Sequence, residues 1–182
     1  MLQALDKLGV KVDKLDKTTV KVHGVAGPLP IPPSQDPNSE LKLFLGNAGT
    51  AMRPLAAVLP FSSHLLHAKQ DLVLDGVERM RERPIADLVG GVAQLGASIT
   101  CPETGCPPVT IKKQGDANSI GGTANISGKM SSQFLSALLI GGVLSGHDEG
   151  VTIKIKDELI SAPYVEMTIG LMKKFGVGEY IR

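Results

Sequence analysis

I-A-D-L-V-G-G-V-A-Q-L-G-A, Ile85 to Ala97, reads as an amphipathic helix and its stop. Ile85, Leu88, Val92 and Leu95 recur at helical spacing, and Gly96 then offers the left-handed backbone that closes a helix at little cost. The same ending, an apolar residue, then Gly, then a small or branched apolar residue, occurs at Leu8-Gly9-Val10 and at Phe175-Gly176-Val177. Each follows its own apolar stripe: Leu2, Leu5 and Leu8 in one case, Val165, Ile169, Leu171, Met172 and Phe175 in the other.

From Gly9 to Gly96 is 87 residues and from Gly96 to Gly176 is 80. That is far longer than a solenoid repeat and suits a small αβ unit with two helices. Other landmarks keep the phase. Arg83-Pro84 and Ala162-Pro163 are each expected to open the helix that runs to the Gly, since proline is tolerated in a first turn. Upstream lie strand-like runs, Leu72 to Leu74 and Val151 to Ile155, the second alternating as V-T-I-K-I-K. Further upstream are two helical runs opening with small polar residues, N-A-G-T-A-M-R-P-L-A-A-V-L from Asn47 and S-S-Q-F-L-S-A-L-L-I from Ser131. After the Gly come paired strand candidates, Val10 to Val12 with Thr19 to Val22, and Ser98 to Cys101 with Val109 to Ile111. One unit is therefore strand, helix, strand, helix, strand, strand.

This pattern assigns 1–22 to the tail of one unit, 40–111 to a second unit and 120–182 to a third that lacks its last strand. Both ends cut through the repeat, so the sequence reads as a segment of a longer protein; the alternative is a domain that closes its sheet differently.

A formal charge of +1 gives no global reason to expect nucleic acid or an anionic membrane as partner, so anion recognition has to be local. The apolar runs are too short and Gly-interrupted to span a bilayer, and no charged region precedes an apolar stretch at Met1, so no export or transit signal is visible. With 3% aromatic residues, any core is aliphatic. Cys101 and Cys106 lie in C-P-E-T-G-C-P-P, and His23, His64, His67 and His147 are scattered. That is no metal-ligand pattern, and two reduced thiols are expected.

Four polar clusters fall at expected helix starts: Asn47 to Thr50, Arg83 before Pro84, Ser131 to Gln133, and Ser161 to Tyr164. Helix starts present unpaired N–H groups and a positive dipole end, so several converging on one cleft form a site for phosphate or carboxylate. Arg83 adds a planar fork for bidentate anion binding. Taken singly, each polar cluster also reads as an ordinary helix cap. E-R-M-R-E-R-P also reads as a solvated charge run. If extended, it would put Arg79, Arg81 and Arg83 on one face. I-G-G-T-A-N-I-S-G, Ile120 to Gly128, lacks both the P-loop and the dinucleotide pattern and reads as a turn and strand with close backbone approach. Gly49, near a helix start, would let a ligand approach bare backbone.

Four long motifs then stand in order: L-F-L-G-N-A-G-T-A-M-R-P-L (Leu43 to Leu55), D-G-V-E-R-M-R-E-R-P-I (Asp75 to Ile85), S-S-Q-F-L-S-A-L-L (Ser131 to Leu139) and I-S-A-P-Y-V-E-M-T (Ile160 to Thr168). With them the chain resembles the EPSP synthase family of enolpyruvyl transferases over most of its length. The resemblance implies an α/β fold of repeated βαβαββ units, three per domain in two domains. Here they would form part of the N-terminal, substrate-binding domain, with helix starts facing the interdomain cleft. It implies transfer of the enolpyruvyl group of phosphoenolpyruvate to the 5-hydroxyl of shikimate 3-phosphate with no cofactor or metal, in the cytoplasm, or in a plastid if the source is a plant or alga. The expected partners are these two substrates and the C-terminal domain of the same enzyme.

Carried over by position, Asn47, Gly49, Arg83 and Gln133 would surround phosphoenolpyruvate. Ser131, Ser132, Gln133, Ser161 and Tyr164 would hold shikimate 3-phosphate. Thr50 and Pro54 would shape the phosphoenolpyruvate pocket, in which the herbicide glyphosate also binds. The family's Gly-Ser-Lys-Ser motif is absent, as is the second domain with its proton-transfer groups. No catalytic acid or base is identifiable in the chain, and little turnover is expected from it alone. Two other readings are a transferase acting on a UDP-linked amino sugar, against which N-A-G-T-A-M-R-P argues, and a non-catalytic binding module.

Overall fold

The computed structural model describes residues 1–25, 29–36, 39–62, 70–112 and 120–177. The chain opens with helix α1 (Leu2–Lys7) and a hairpin of β1 (Val12–Lys14) and β2 (Val20–Val22). There follow β3 (Glu40–Phe44), α2 (Gly49–Phe61), β4 (Asp71–Asp75), a 3-10 turn at Glu78–Met80, α3 (Ala86–Gln94), β5 (Ile99–Thr100) and β6 (Val109–Ile111). Then come β7 (Gly122–Ile126), α4 (Ser132–Gly142), β8 (Val151–Ile155) and α5 (Ala162–Lys174).

β3 and β4 pair in parallel, with Phe44 opposite Asp75; β6 lies antiparallel on β4, and β5 on β6, giving the order β3-β4-β6-β5. β7 and β8 also pair in parallel, with Ile126 opposite Ile155. The expected strand, helix, strand, helix, strand, strand order therefore runs from β3 to β6, and its first four elements recur from β7 to α5. The fold is the repeated α/β architecture read from the sequence.

The three glycines that set the repeat are all left-handed, with φ of 83° at Gly9, 97° at Gly96 and 84° at Gly176. At each, the following residue donates its N–H five residues back: Val10 to Leu5, Ala97 to Val92 and Val177 to Met172. These bonds satisfy carbonyls that the helix ends would otherwise leave open. They also explain one displacement. Val10 is committed to closing α1, so β1 starts at Val12 and not at Val10.

Two local expectations fail for identifiable reasons. Pro84 does not lie in a first turn, because the Gly105 carbonyl accepts from both Ile85 and Ala86, at 2.8 and 3.0 Å, and holds Ile85 as the N-cap of α3. Pro163, by contrast, is in the first turn of α5. Nor is E-R-M-R-E-R-P extended: the buried Met80 anchors a 3-10 turn, after which Arg81 is drawn to Asp75 and Arg83 lies beside Gly49. His64 and His67 lie outside the described residues, as does 178–182 of the third unit.

The core is aliphatic and centres on α2, which is buried on nearly every side, including at Met52, Leu59 and Phe61. Leu43, Leu72 and Leu74 from the sheet, Leu88 and Val92 from α3, and Phe134, Leu135 and Leu138 from α4 enclose it. Each such side chain stabilises by about 1.5–3 kcal/mol when fully buried. α2 and α4 run side by side in the same direction. Arg53 lies over the Phe134 ring near their starts, and Gly141 fits against the Ala57 carbonyl and Phe61 near their ends. Parallel packing brings both helix starts to one end of the molecule. Among the described residues no helix is long and apolar enough to cross a membrane.

A candidate anion-binding site at paired helix starts

Because β3 and β4 are parallel and in register, the loops leaving them start at the same sheet edge. They are laced together: Leu45 donates to the Asp75 carbonyl at 2.8 Å and Val77 to that of Gly46 at 3.1 Å. Asp75 fixes the lacing further, accepting from the Gly76 N–H at 2.8 Å and from Arg81 Nε at 2.9 Å, with a second contact from Arg81 Nη2. The second pair of loops repeats the device with Asp157, which accepts from the Ser127 hydroxyl at 2.8 Å and the Gly128 N–H at 2.6 Å. Ile160 donates back to the Gly128 carbonyl. Neither motif drew attention in the sequence, although an Asp near the end of each of two repeated strands was the available signal.

The Arg81 hydrogen bond holds the Asp75 carboxyl below its ordinary pKa, with smaller help from the Gly76 N–H, against a desolvation effect that opposes it. A carboxyl lowered by folding stabilises the fold at pH above its unfolded value and loses that contribution as pH falls through the folded value. Acidification below about pH 4 is therefore expected to loosen the β3–β4 loops. Asp75→Asn should show a shallower fall in melting temperature between about pH 6 and about pH 3 than the parent chain. An unchanged slope would remove Asp75 from the account.

The lacing sorts the arginines. Arg81 turns to Asp75, which leaves Arg83 to lie over the first residue of α2: a Cβ on Gly49 would fall 2.7 Å from Arg83 Nη1 and into Arg53 Nη1 as well. Gly49 is thus glycine because two guanidinium groups occupy the space beside its Cα. Ala48 stands at the N-cap of α2, and no side chain caps that helix start. Asn47, one residue earlier, is exposed, and its carbonyl accepts from the Gly49 N–H.

From the next positions of α2, Thr50 and Pro54 face Gln133 and Ser136 of α4 across an open hollow of about 300 Å³. Ser131 is the N-cap of α4, its hydroxyl accepting from the Gln133 N–H at 3.3 Å, which is the ordinary capping role. Ser132 and Gln133 follow it, both half-buried. Ser136 is tied to α5, its hydroxyl 2.7 Å from that of Thr168. At the start of α5, Ser161 is the N-cap but makes no capping bond, and its φ of 63° puts a non-glycine residue in the left-handed region. Such strain, on the order of 1–3 kcal/mol, concentrates at working sites. Tyr164 in the next turn is 59% exposed, leaving its ring open to a ligand.

The site residues read from the sequence thus fall into groups. Gly49 and Arg83 meet directly; Thr50, Pro54 and Gln133 share the hollow; Ser131 and Ser132 stand beside Gln133. Ser161 and Tyr164 begin the helix whose Thr168 is bonded to Ser136. Sequence reasoning passed over Ser136 and Arg53. Arg53 sits four residues after Gly49, on the same helix face, and helical side chains lean toward the N-terminus, which would have placed its guanidinium over Gly49.

The family model for EPSP synthase (3-phosphoshikimate 1-carboxyvinyltransferase) matches residues 1–178. A chloroplastic 3-phosphoshikimate 1-carboxyvinyltransferase of Brassica napus is 49% identical over 97% of this chain and 33% of its own length. The enzyme of that name from Serratia proteamaculans is 46% identical over 97% of this chain and 38% of its own length. A solved EPSP synthase from Acinetobacter baumannii superposes with a TM-score of 0.66 at 25% identity, covering 91% of this chain and 33% of that one. The chain spans about a third of the length of these relatives. Since the family model runs over nearly all of it, and the folds agree, the chain belongs to the EPSP synthase family.

Proposed function

We propose that this chain is the substrate-binding part of an enzyme that moves the enolpyruvyl group of phosphoenolpyruvate to the 5-hydroxyl of shikimate 3-phosphate and releases phosphate. The observation that carries the reading is the meeting of Arg83 with Gly49 at an uncapped helix start, beside a hollow lined by Thr50, Pro54 and Gln133. Arg83 and the first turn of α2 hold the anionic groups of phosphoenolpyruvate, with Asn47 and Gln133 at the margins and Thr50 and Pro54 limiting the pocket's size, as they would for glyphosate. Ser131, Ser132, Gln133, Ser161 and Tyr164 hold shikimate 3-phosphate by hydroxyl and amide donors.

Such a site contributes by orientation and by donors fixed before the reaction begins. The proton transfers need an acid and a base. The groups beside Gly49 are Arg53 and Arg83, and those lining the hollow are Thr50, Pro54, Gln133 and Ser136, so the proposal assigns the acid and base to a complementing segment.

The test is phosphate release with the chain alone and with a separately expressed segment covering the remainder of a relative. The chain alone should release none. The mixture should release phosphate only when both phosphoenolpyruvate and shikimate 3-phosphate are present. Release with a UDP-linked amino sugar as acceptor instead would replace this reading with the related transferase. No release by a mixture that does associate would leave a binding module.

A further inference from the structure

Arg53 is 6% exposed, yet its Nε and Nη1 have no hydrogen-bond partner. A guanidinium stripped of water and left without acceptors is strongly unfavourable. It also lies beside a second cation: burial first, and then the charge of Arg83, pull its pKa down. The Phe134 ring, 5.8 Å from Arg53 Cζ, offers partial compensation as an aromatic face. Among the described residues no carboxylate forms an ion pair with Arg53 or Arg83, since the neighbouring Asp75 is taken by Arg81. Both Nη1 atoms enter the space that a Cβ on Gly49 would fill, above a helix start that no side chain caps. Two like charges held together, one of them with two buried nitrogens that lack acceptors, form half of an interaction whose other half is an anion.

We infer that Arg53 is a second guanidinium of this pocket, which with Arg83 and the first turn of α2 grips a doubly charged oxyanion of the phosphate class. Two forks and a helix start match two negative charges and several acceptor oxygens, whereas a single carboxylate leaves one guanidinium unmatched. Burial beside the Phe134 ring keeps Arg53 at the start of α2, with its Nη1 beside Gly49. Identifying the natural source of that phosphate as phosphoenolpyruvate rests on the function proposed above; the chemistry of the pocket does not.

The probe is inorganic phosphate, added to the full 182-residue chain against sodium chloride of equal ionic strength. Thermal unfolding and the arginine Nε–H resonances are the readouts. Phosphate should raise the melting temperature and shift the Arg53 and Arg83 resonances. Arg53→Met should weaken the phosphate response at least about tenfold and leave the ligand-free melting temperature equal or higher. Arg53→Lys, which keeps the charge and loses the fork, should retain a minor part of the response, and it carries the test if the methionine variant does not fold. Lys112→Met, which removes a cation paired with Asp71 at the opposite end of β4, should respond as the parent does.

A full response in Arg53→Met, or no response beyond chloride in the parent, overturns the inference, and a fall in ligand-free stability with the response intact makes Arg53 a structural cation. A phosphoenolpyruvate response that is independent of Arg53 sinks this inference and spares the proposed function. An Arg53-dependent phosphate response with none to phosphoenolpyruvate does the reverse.

Discussion

Gly141→Leu is expected to destabilise the chain by about 3 kcal/mol, at the upper end of what overpacking usually costs. A Cβ at this position would lie 2.8 Å from the Ala57 carbonyl oxygen and 3.2 Å from Phe61 Cδ2. The first of these is helical backbone of α2 and cannot swing aside, so the two helices have to separate. Separation also unpacks Phe134, which is buried and packed against Arg53 of α2. The control is Gly90→Ala in α3, where nothing lies within 4 Å of the added carbon. There helix propensity alone acts, and a gain of about 0.5–1 kcal/mol is expected. Denaturant midpoints at constant m-value read both. Equal shifts in the two variants would mean that α2 and α4 do not pack through Gly141.

The architecture was legible because its signals are local. A left-handed glycine after an apolar stripe needs no tertiary partner to act, and all three such glycines close their helices by the same bond. The strand runs at Leu72 and Val151 were legible for the same reason. Errors arose where a distant group decided a local matter. No property of Arg83-Pro84 announces that the Gly105 carbonyl will claim the next two N–H groups. Likewise, alternating arginines suggest one face until Met80 is pulled into the core and turns the chain. Arg53 was passed over because charge in a helix is ordinarily read as solvent-facing. Its burial follows from packing against α4, which lies some 80 residues further along the chain.

The site's electrostatics lead to a second large effect, on binding and not on folding. On the proposed function, Gly49→Ala lowers affinity for phosphoenolpyruvate by about thirtyfold, roughly 2 kcal/mol, the scale of one charge-assisted hydrogen bond. The added carbon would stand 2.7 Å from Arg83 Nη1 and against Arg53 Nη1. These are side-chain ends, so they can withdraw, and the helix should survive; alanine is also the better helix former. The stability of the variant should therefore match or exceed that of the parent, while its anion site is left with forks aimed away from the first turn of α2. Titration calorimetry of phosphoenolpyruvate, paired with a melting curve of each protein, separates the two effects. Binding at parental strength would show that the guanidinium groups over Gly49 do not hold this ligand. Lost binding in a variant that also melts early would point to damage in α2, and the pocket would have to be tested through Arg83→Met instead.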